Sequence, residues 1–138
     1  MNVRRTAELI KKHEGLRLKP YFCSAKKLTL GYGRNIEENG ITNTEADFLL
    51  SNDILNATNE IIDNFCWFSG LNDDRQSVIV NMVFNLGMPR FKGFKKLISA
   101  IEEKEFTKAS VEMLNSKWAT QVGERATELA DAMENGFF

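Results

Sequence analysis

Three side chains near the start of the chain have the types and spacing that acid–base chemistry needs. Eight residues separate Glu14 from Cys23, and five more separate Cys23 from Thr29. A carboxyl group can protonate a leaving oxygen, a thiolate can accept a proton or attack carbon, and a hydroxyl can orient a water. Each residue also has an ordinary interpretation: a surface glutamate, a small buried cysteine and a strand threonine. The pattern leaves Cys23 as base, nucleophile or bystander.

The first element predicted is a helix that carries the acid. Val3, Ala7 and Ile10 fall on one helical face over residues 3–13, and Gly15 is a stop signal. Glu14 is therefore expected at the C-terminal end of this helix. The helix dipole there disfavours an ionised carboxylate, and we expect burial in a cleft to act in the same direction.

The next segment, residues 16–36, is predicted to form a small antiparallel sheet or hairpin. Short apolar stretches alternate with polar residues, and residues 24–27 form a polar break typical of a turn. Gly31 and Gly33 indicate a second turn near the end of the segment. Pro20 has no N–H to donate, so its strand is expected at an edge.

The rest of the chain is predicted to be helical. Thr42 and Glu45 have the spacing of a capping box and open a helix that reaches about Asn64. Further helices are expected near residues 73–86, 93–102, 106–115 and 123–133, with Gly87 and Pro89 ending the first of these. The fold class is therefore α+β: one domain over residues 1–138, with a β-containing lobe at about 14–40. Residues 1–13 and 41–138 form the helical lobe, and a ligand cleft is expected between the lobes.

Composition excludes several classes of function. The formal net charge of -1 gives no overall attraction to nucleic acid or to an anionic membrane. With one histidine and two cysteines, Cys23 and Cys66, no metal motif is present, and we expect neither a metal nor another cofactor. Two free thiols are expected, although the sequence leaves a disulfide open. The N-terminal segment has no continuous apolar region, so neither a signal peptide nor a membrane anchor is expected.

The spacing Glu-x8-Cys-x5-Thr resembles the signature of the phage-type lysozymes, glycoside hydrolase family 24, in which Asp or Cys stands at the second position. The resemblance continues in order along almost the whole chain. Its blocks are Glu14-Gly15-Leu16-Arg17-Leu18-Lys19, Thr29-Leu30-Gly31-Tyr32-Gly33-Arg34, Ile41-Thr42-x-x-Glu45-Ala46, Asn81-Met82-Val83-Phe84-Asn85-Leu86-Gly87, Ser116-Lys117-Trp118 and Arg125-Ala126. It implies a lysozyme-like fold.

The resemblance also implies roles for individual residues. Glu14 becomes the catalytic acid, Cys23 the second catalytic group and Thr29 the hydroxyl that orients water. Supporting or substrate-binding positions carried over from the family are Arg125 beside the acid, Phe84 and Asn85 on the cleft wall, and Gly33. Core packing is the alternative for Phe84, and a solvated helix arginine the alternative for Arg125. Arg34 and Asp53 fall where the family has a His–Asp ion pair, and Glu112 and Leu97 where the T-even enzyme has a cleft amide and a small hydroxyl.

The function implied is that of an endolysin, a muramidase that hydrolyses the β-1,4 bond between N-acetylmuramic acid and N-acetylglucosamine in peptidoglycan and so lyses the host. Its partners would be glycan strands, with a separate holin opening the route from the host cytoplasm to the wall in the periplasm. A monomer is expected. A non-catalytic wall-binding or assembly domain on the same fold is the alternative, and chitin or chitosan is a third possible substrate.

Overall fold

The computed structural model describes all residues, 1–138, and divides them into two compact units, Met1–Leu49 and Leu50–Phe138. It contains nine helices, three strands and one short 3-10 turn. In chain order these are α1 (Val3–Glu14), β1 (Arg17–Phe22), β2 (Leu28–Gly31), β3 (Arg34–Asn35), α2 (Ile36–Asn39), α3 (Asn43–Asn64), the 3-10 turn (Phe68–Gly70), α4 (Asp73–Leu86), α5 (Met88–Lys92), α6 (Lys95–Glu102), α7 (Phe106–Leu114), α8 (Lys117–Val122) and α9 (Glu124–Asn135). The predicted α+β class is confirmed. The predicted domain boundaries stay a prediction.

The first unit is built around a three-stranded antiparallel sheet in the order β1-β2-β3. Tyr21 pairs with Thr29 across the first two strands, and Thr29 pairs with Asn35 across the second two. Strand β1, which contains Pro20, lies at an edge, as predicted from the missing N–H. Thr29 on the central strand is the one buried residue of this unit.

The long helix α3 opens with the predicted capping box. The Thr42 N–H donates to Glu45 Oε1 at 2.9 Å, and the Glu45 N–H donates to Thr42 Oγ1 at 3.2 Å. These two reciprocal bonds satisfy N–H groups that have no partner inside the helix. The helix then runs to Asn64, as predicted.

The second unit contains the apolar core. Helix α4 supplies four buried residues, and α9 packs against both α4 and α7. Fully buried large side chains include Phe91, Ile61, Ile79, Met82, Leu97, Ile101, Met113 and Met133. Trp118 is also buried, so its indole is part of this core.

The structure adds short elements that the sequence did not predict: α2, the 3-10 turn, α5 and α8. Helix α4 ends at Leu86 as expected, with the Gly87 N–H donating to the Val83 carbonyl. Pro89 does not simply end that helix, because it stands in the first turn of α5, where its missing N–H needs no partner. None of the helices combines the length and the apolar character needed to span a membrane.

Arg75 on α4 holds the C-terminal end of α9. Its Nε donates to the Met133 carbonyl at 2.7 Å and its Nη2 to the Glu134 carbonyl at 2.8 Å, while the guanidinium lies 3.6 Å from the centre of the Phe106 ring. Carbonyls at a helix end lack partners inside the helix, and a cation there also interacts favourably with the dipole. One side chain therefore links α4, α7 and α9.

We expect Arg75→Ala to lower the free energy of unfolding by about 3 kcal/mol, because two charge-assisted hydrogen bonds and a cation–π contact are lost. Chemical denaturation of the variant measures this change. Arg90→Ala, at an exposed arginine of α5 with no hydrogen bond to hold, is the matched control and is expected to change stability by less than about 0.5 kcal/mol. Equal losses in the two variants would contradict the role given to Arg75.

Candidate active site

Glu14 is the last residue of α1, as the sequence predicted. The N–H of Gly15 donates to the Lys11 carbonyl at 3.1 Å and closes the helix. The Glu14 carboxylate lies beside Gly33, since a Cβ placed on that glycine would be 3.4 Å from Glu14 Oε2. Gly33 has a φ of +87°, which other residues rarely adopt. The glycine therefore provides both the turn between β2 and β3 and the space that the carboxylate occupies.

The solvent exposure of Glu14 differs from the prediction. Burial in a cleft was predicted to act on this carboxyl group, but the Glu14 side chain is exposed. Among residues 1–49, no cation lies within ion-pair distance of it. Of the two features predicted for Glu14, its position at the end of a helix is confirmed and its burial is not.

Cys23 lies at the first residue of the hairpin turn that joins β1 to β2. Its N–H donates to the Lys27 carbonyl at 3.0 Å, and its own carbonyl accepts from the Lys26 N–H at 2.8 Å. Lys26 has a φ of +60°, so the three-residue loop 24–26 ends in a left-handed residue, as is common for hairpins of this length. This geometry fixes Cys23 opposite Lys27, on the face of the hairpin that also carries Thr29.

The thiol of Cys23 is half-exposed and has an environment that favours the thiolate. Hydrogen bonding from the Lys27 backbone N–H lowers the pKa of this thiol most, followed by the Thr29 hydroxyl and the Ala25 N–H, while partial burial opposes them. Donors directed at sulfur stabilise the charged form more than the neutral form. Cys23 is thus suited to accept a proton. Cys66, the other cysteine, is also a free thiol.

Thr29 is 3% exposed, and its hydroxyl donates to the Lys27 carbonyl at 2.8 Å. A hydroxyl has one proton to donate, so donation to Lys27 competes with donation to Cys23 Sγ. When Cys23 is ionised, the charge of the thiolate favours the second arrangement. The structure therefore brings Thr29 into contact with Cys23, and its role in orienting water stays a prediction.

Arg34 pairs with Glu45 within the first unit, and its pairing with Asp53 of the second unit stays a prediction. Its Nη1 lies 2.5 Å from Glu45 Oε2. Arg34 and the Thr42 N–H hold the pKa of Glu45 at about 2. Because this pKa is lowered on folding, the pair stabilises the fold above the ordinary carboxyl range, and its contribution is lost as the pH falls towards 2.

The remaining predicted site residues lie in the second unit. Arg125, on α9, donates from Nε and Nη2 to Asn81 Oδ1 at 3.0 and 2.6 Å, which occupies two of its five N–H groups. Phe84 is 48% exposed, so the core-packing alternative is wrong for this ring. Asn85 accepts from Trp118 Nε1 at 2.9 Å. The position of Arg125 beside the acid, and the cleft itself, stay predictions.

Sequence reasoning missed two residues that organise these positions. The backbone carbonyl of Lys27 accepts hydrogen bonds from both Cys23 and Thr29. Assigning the length of the hairpin turn from the sequence would have placed Lys27 opposite Cys23. Asn81 fixes the Arg125 guanidinium across 44 positions of sequence, a separation at which no local pattern signals a contact.

Comparison with known proteins places this arrangement in a family. The phage lysozyme family model matches residues 11–133. "Probable T4-type lysozyme 2" of Dictyostelium discoideum is 26% identical over 94% of this chain and 93% of its own length. "Probable T4-type lysozyme 1" of the same organism is 33% identical over 70% of the chain and 58% of its own length. The "Endolysin" of Acyrthosiphon pisum secondary endosymbiont phage 1 is 35% identical over 80% of the chain and 75% of its own length.

Thr29→Val is expected to raise the pKa of the Cys23 thiol, because it removes a donor to the thiolate and retains the shape of the side chain. Ultraviolet absorbance of the thiolate, followed against pH in a Cys66→Ser background, measures this pKa. Without the substitution, Cys23 is expected to ionise below the range of an ordinary cysteine. Thr58→Val is the control, since Thr58 also donates to a backbone carbonyl but belongs to α3. An unchanged titration in Thr29→Val would contradict the contact.

Proposed function

Because the chain belongs to the phage lysozyme family and is a lysozyme-type hydrolase of the bacterial cell wall, we propose that it cleaves the β-1,4 bond between N-acetylmuramic acid and N-acetylglucosamine in peptidoglycan. The observation that carries the proposal is the position of Glu14 in a chain of this family. Its carboxylate lies over Gly33, in the same unit as the hairpin of Cys23 and Thr29.

Glu14 acts as the general acid in the proposed mechanism. Its carboxyl proton passes to the glycosidic oxygen as the bond from that oxygen to the anomeric carbon breaks. Glu14 ends α1, and its exposed side chain is accessible to a substrate. No cation of residues 1–49 pairs with Glu14 and stabilises its anion.

Cys23 acts as the general base, in the thiolate form. A water attacks the anomeric carbon from the face opposite Glu14, its oxygen forms the new bond, and one of its protons passes to Cys23 Sγ. The lowered pKa of Cys23 and its partial exposure support this assignment. In this step the Thr29 hydroxyl turns from the Lys27 carbonyl to donate to the thiolate, and so holds the thiolate and the water bound to it in position.

The relative named as an endolysin comes from a phage. That name supports a role in releasing phage from a bacterial host, and we include this role in the proposal. The enzyme would accumulate in the host cytoplasm as a monomer. It would reach the glycan strands in the periplasm through membrane lesions made by a separate holin.

Substitution of the two proposed catalytic groups tests the mechanism. We expect Glu14→Gln to lower the release of soluble sugars from purified peptidoglycan by about 10³-fold, because the amide has no proton to donate at neutral pH. Cys23→Ser is expected to lose about 10²-fold, since a serine hydroxyl is a far weaker base, and Cys23→Asp to stay within about tenfold of the wild type.

Cys66→Ser is the matched control for the thiol and is expected to be fully active. If Cys23→Ser keeps most of the activity, the thiolate base is wrong and water held by Thr29 is favoured. Folded wild-type protein that binds peptidoglycan and releases no sugar would instead support the non-catalytic alternative.

The stereochemistry of the product gives an independent test. Direct attack of water on a β-linked sugar produces the α anomer first, so we expect inversion. Proton NMR spectra recorded within the first minutes of digestion, before the anomers equilibrate, distinguish the two products. A first-formed β anomer would indicate a covalent intermediate, with Cys23 as nucleophile.

A further inference from the structure

Thr29 is the one buried residue of the first unit, and its neighbours in the sheet identify the side chains around it. Side chains directly opposite each other in antiparallel strands lie on the same face, with their Cβ atoms about 5 Å apart. Thr29 has Tyr21 opposite it on β1 and Asn35 opposite it on β3. The amide of Asn35 is used elsewhere, because its Oδ1 accepts the Glu38 N–H at 3.0 Å and caps α2. On this face of the sheet, the large side chain beside Thr29 is therefore the Tyr21 ring.

The Tyr21 ring is half-buried, and a cation lies against it. The guanidinium carbon of Arg17 is 4.5 Å from the centre of the ring, which is within the range of a cation–π contact. Both residues belong to β1, and the register of this strand against β2 shifts between them. An exposed arginine thus holds a half-buried ring on the same strand, at the position opposite Thr29.

The Thr29 hydroxyl is sensitive to its surroundings, because its single proton has two acceptors within the protein. It donates to the Lys27 carbonyl at 2.8 Å, and its contact with Cys23 lowers the pKa of that thiol. A water beside the hydroxyl would be a further partner, whereas a hydrogen bond is electrostatically stronger where water is excluded. Cys23 follows Tyr21 by two positions, so the two side chains point to the same face of the hairpin. The Tyr21 ring therefore lies beside both members of the contact.

We propose that Tyr21 is a positioning residue of the active site, whose ring keeps bulk water away from the contact between Thr29 and Cys23. Arg17 holds the ring in this position and acts on the thiol only through the ring. The group required is the aromatic ring, and the phenolic hydroxyl takes no part. The inference rests on the proposed function, because it concerns the thiolate that serves as the base there.

The titration of Cys23 tests this inference and does not depend on hydrolysis. In a Cys66→Ser parent, the rate constant for alkylation by iodoacetamide follows the thiolate fraction, and its pH dependence gives a midpoint that access to the sulfur does not affect. We expect Tyr21→Leu to move the midpoint to higher pH. Relative to the plateau at high pH, the rate at neutral pH should fall about threefold, as weakening of one hydrogen bond implies. Tyr21→Phe keeps the ring and should titrate as the parent does.

Double substitutions determine whether the ring acts through Thr29. Thr29→Val removes the donor itself, so adding Tyr21→Leu to it should move the midpoint no further. In the same way, Arg17→Gln should raise the midpoint on its own and change nothing in the Tyr21→Leu background. Tyr32→Leu is the matched control, because the Tyr32 ring also has a cation near it, with Lys11 Nζ 5.7 Å from its centre. This substitution should leave the midpoint of Cys23 unchanged.

The proposal is overturned if folded Tyr21→Leu titrates as the parent does, or if Tyr21→Phe shifts the midpoint as far. It is also overturned if the shifts of Tyr21→Leu and Thr29→Val add. Melting curves identify a variant that does not fold. Should Tyr21→Leu be unfolded, Arg17→Gln at an exposed residue decides the matter, and a midpoint equal to that of the parent overturns the proposal. Failure of the proposed function would leave these shifts intact and abolish sugar release by the wild type.

Discussion

The backbone carbonyl of Lys27 is the group on which the chemistry of the first unit depends. It accepts the Cys23 N–H at 3.0 Å and the Thr29 hydroxyl at 2.8 Å, so one oxygen sets the position of both side chains. The Lys27 side chain extends the same control, because its Nζ lies 3.4 Å from Glu37 Oε2 and 3.0 Å from Glu38 Oε1 on α2. A residue without a catalytic role thus joins the hairpin to the helix that follows the sheet.

The hairpin and the end of α1 bring different kinds of groups to the unit. The thiol of Cys23 is surrounded by donors that lower its pKa, whereas Glu14 is an exposed carboxyl group at the last residue of α1. Acid–base catalysis needs one group that holds a proton and one that lacks it at the same pH. The hairpin turn contributes to this requirement by stabilising the thiolate of Cys23.

Much of this arrangement could be predicted from sequence, for reasons that lie in local geometry. A stop signal at Gly15 places Glu14, the capping box at Thr42 places α3, and Pro20 places β1 at an edge. Each of these features depends on residues only a few positions apart, so the local sequence determines the local backbone structure. The short helices α2, α5 and α8 have too few turns to show a clear period, so they were missed.

The same reasoning did not predict which side chains contact each other through tertiary packing. Arg125 bonds to Asn81, Arg34 pairs with Glu45, and Phe84 is half-exposed although it directly follows the buried Met82 and Val83. These outcomes depend on which helix faces which, and one sequence does not specify that at the level of single side chains. Glu45, eleven positions after Arg34, became its partner because the capping box at the start of α3 holds that carboxylate near the end of the sheet.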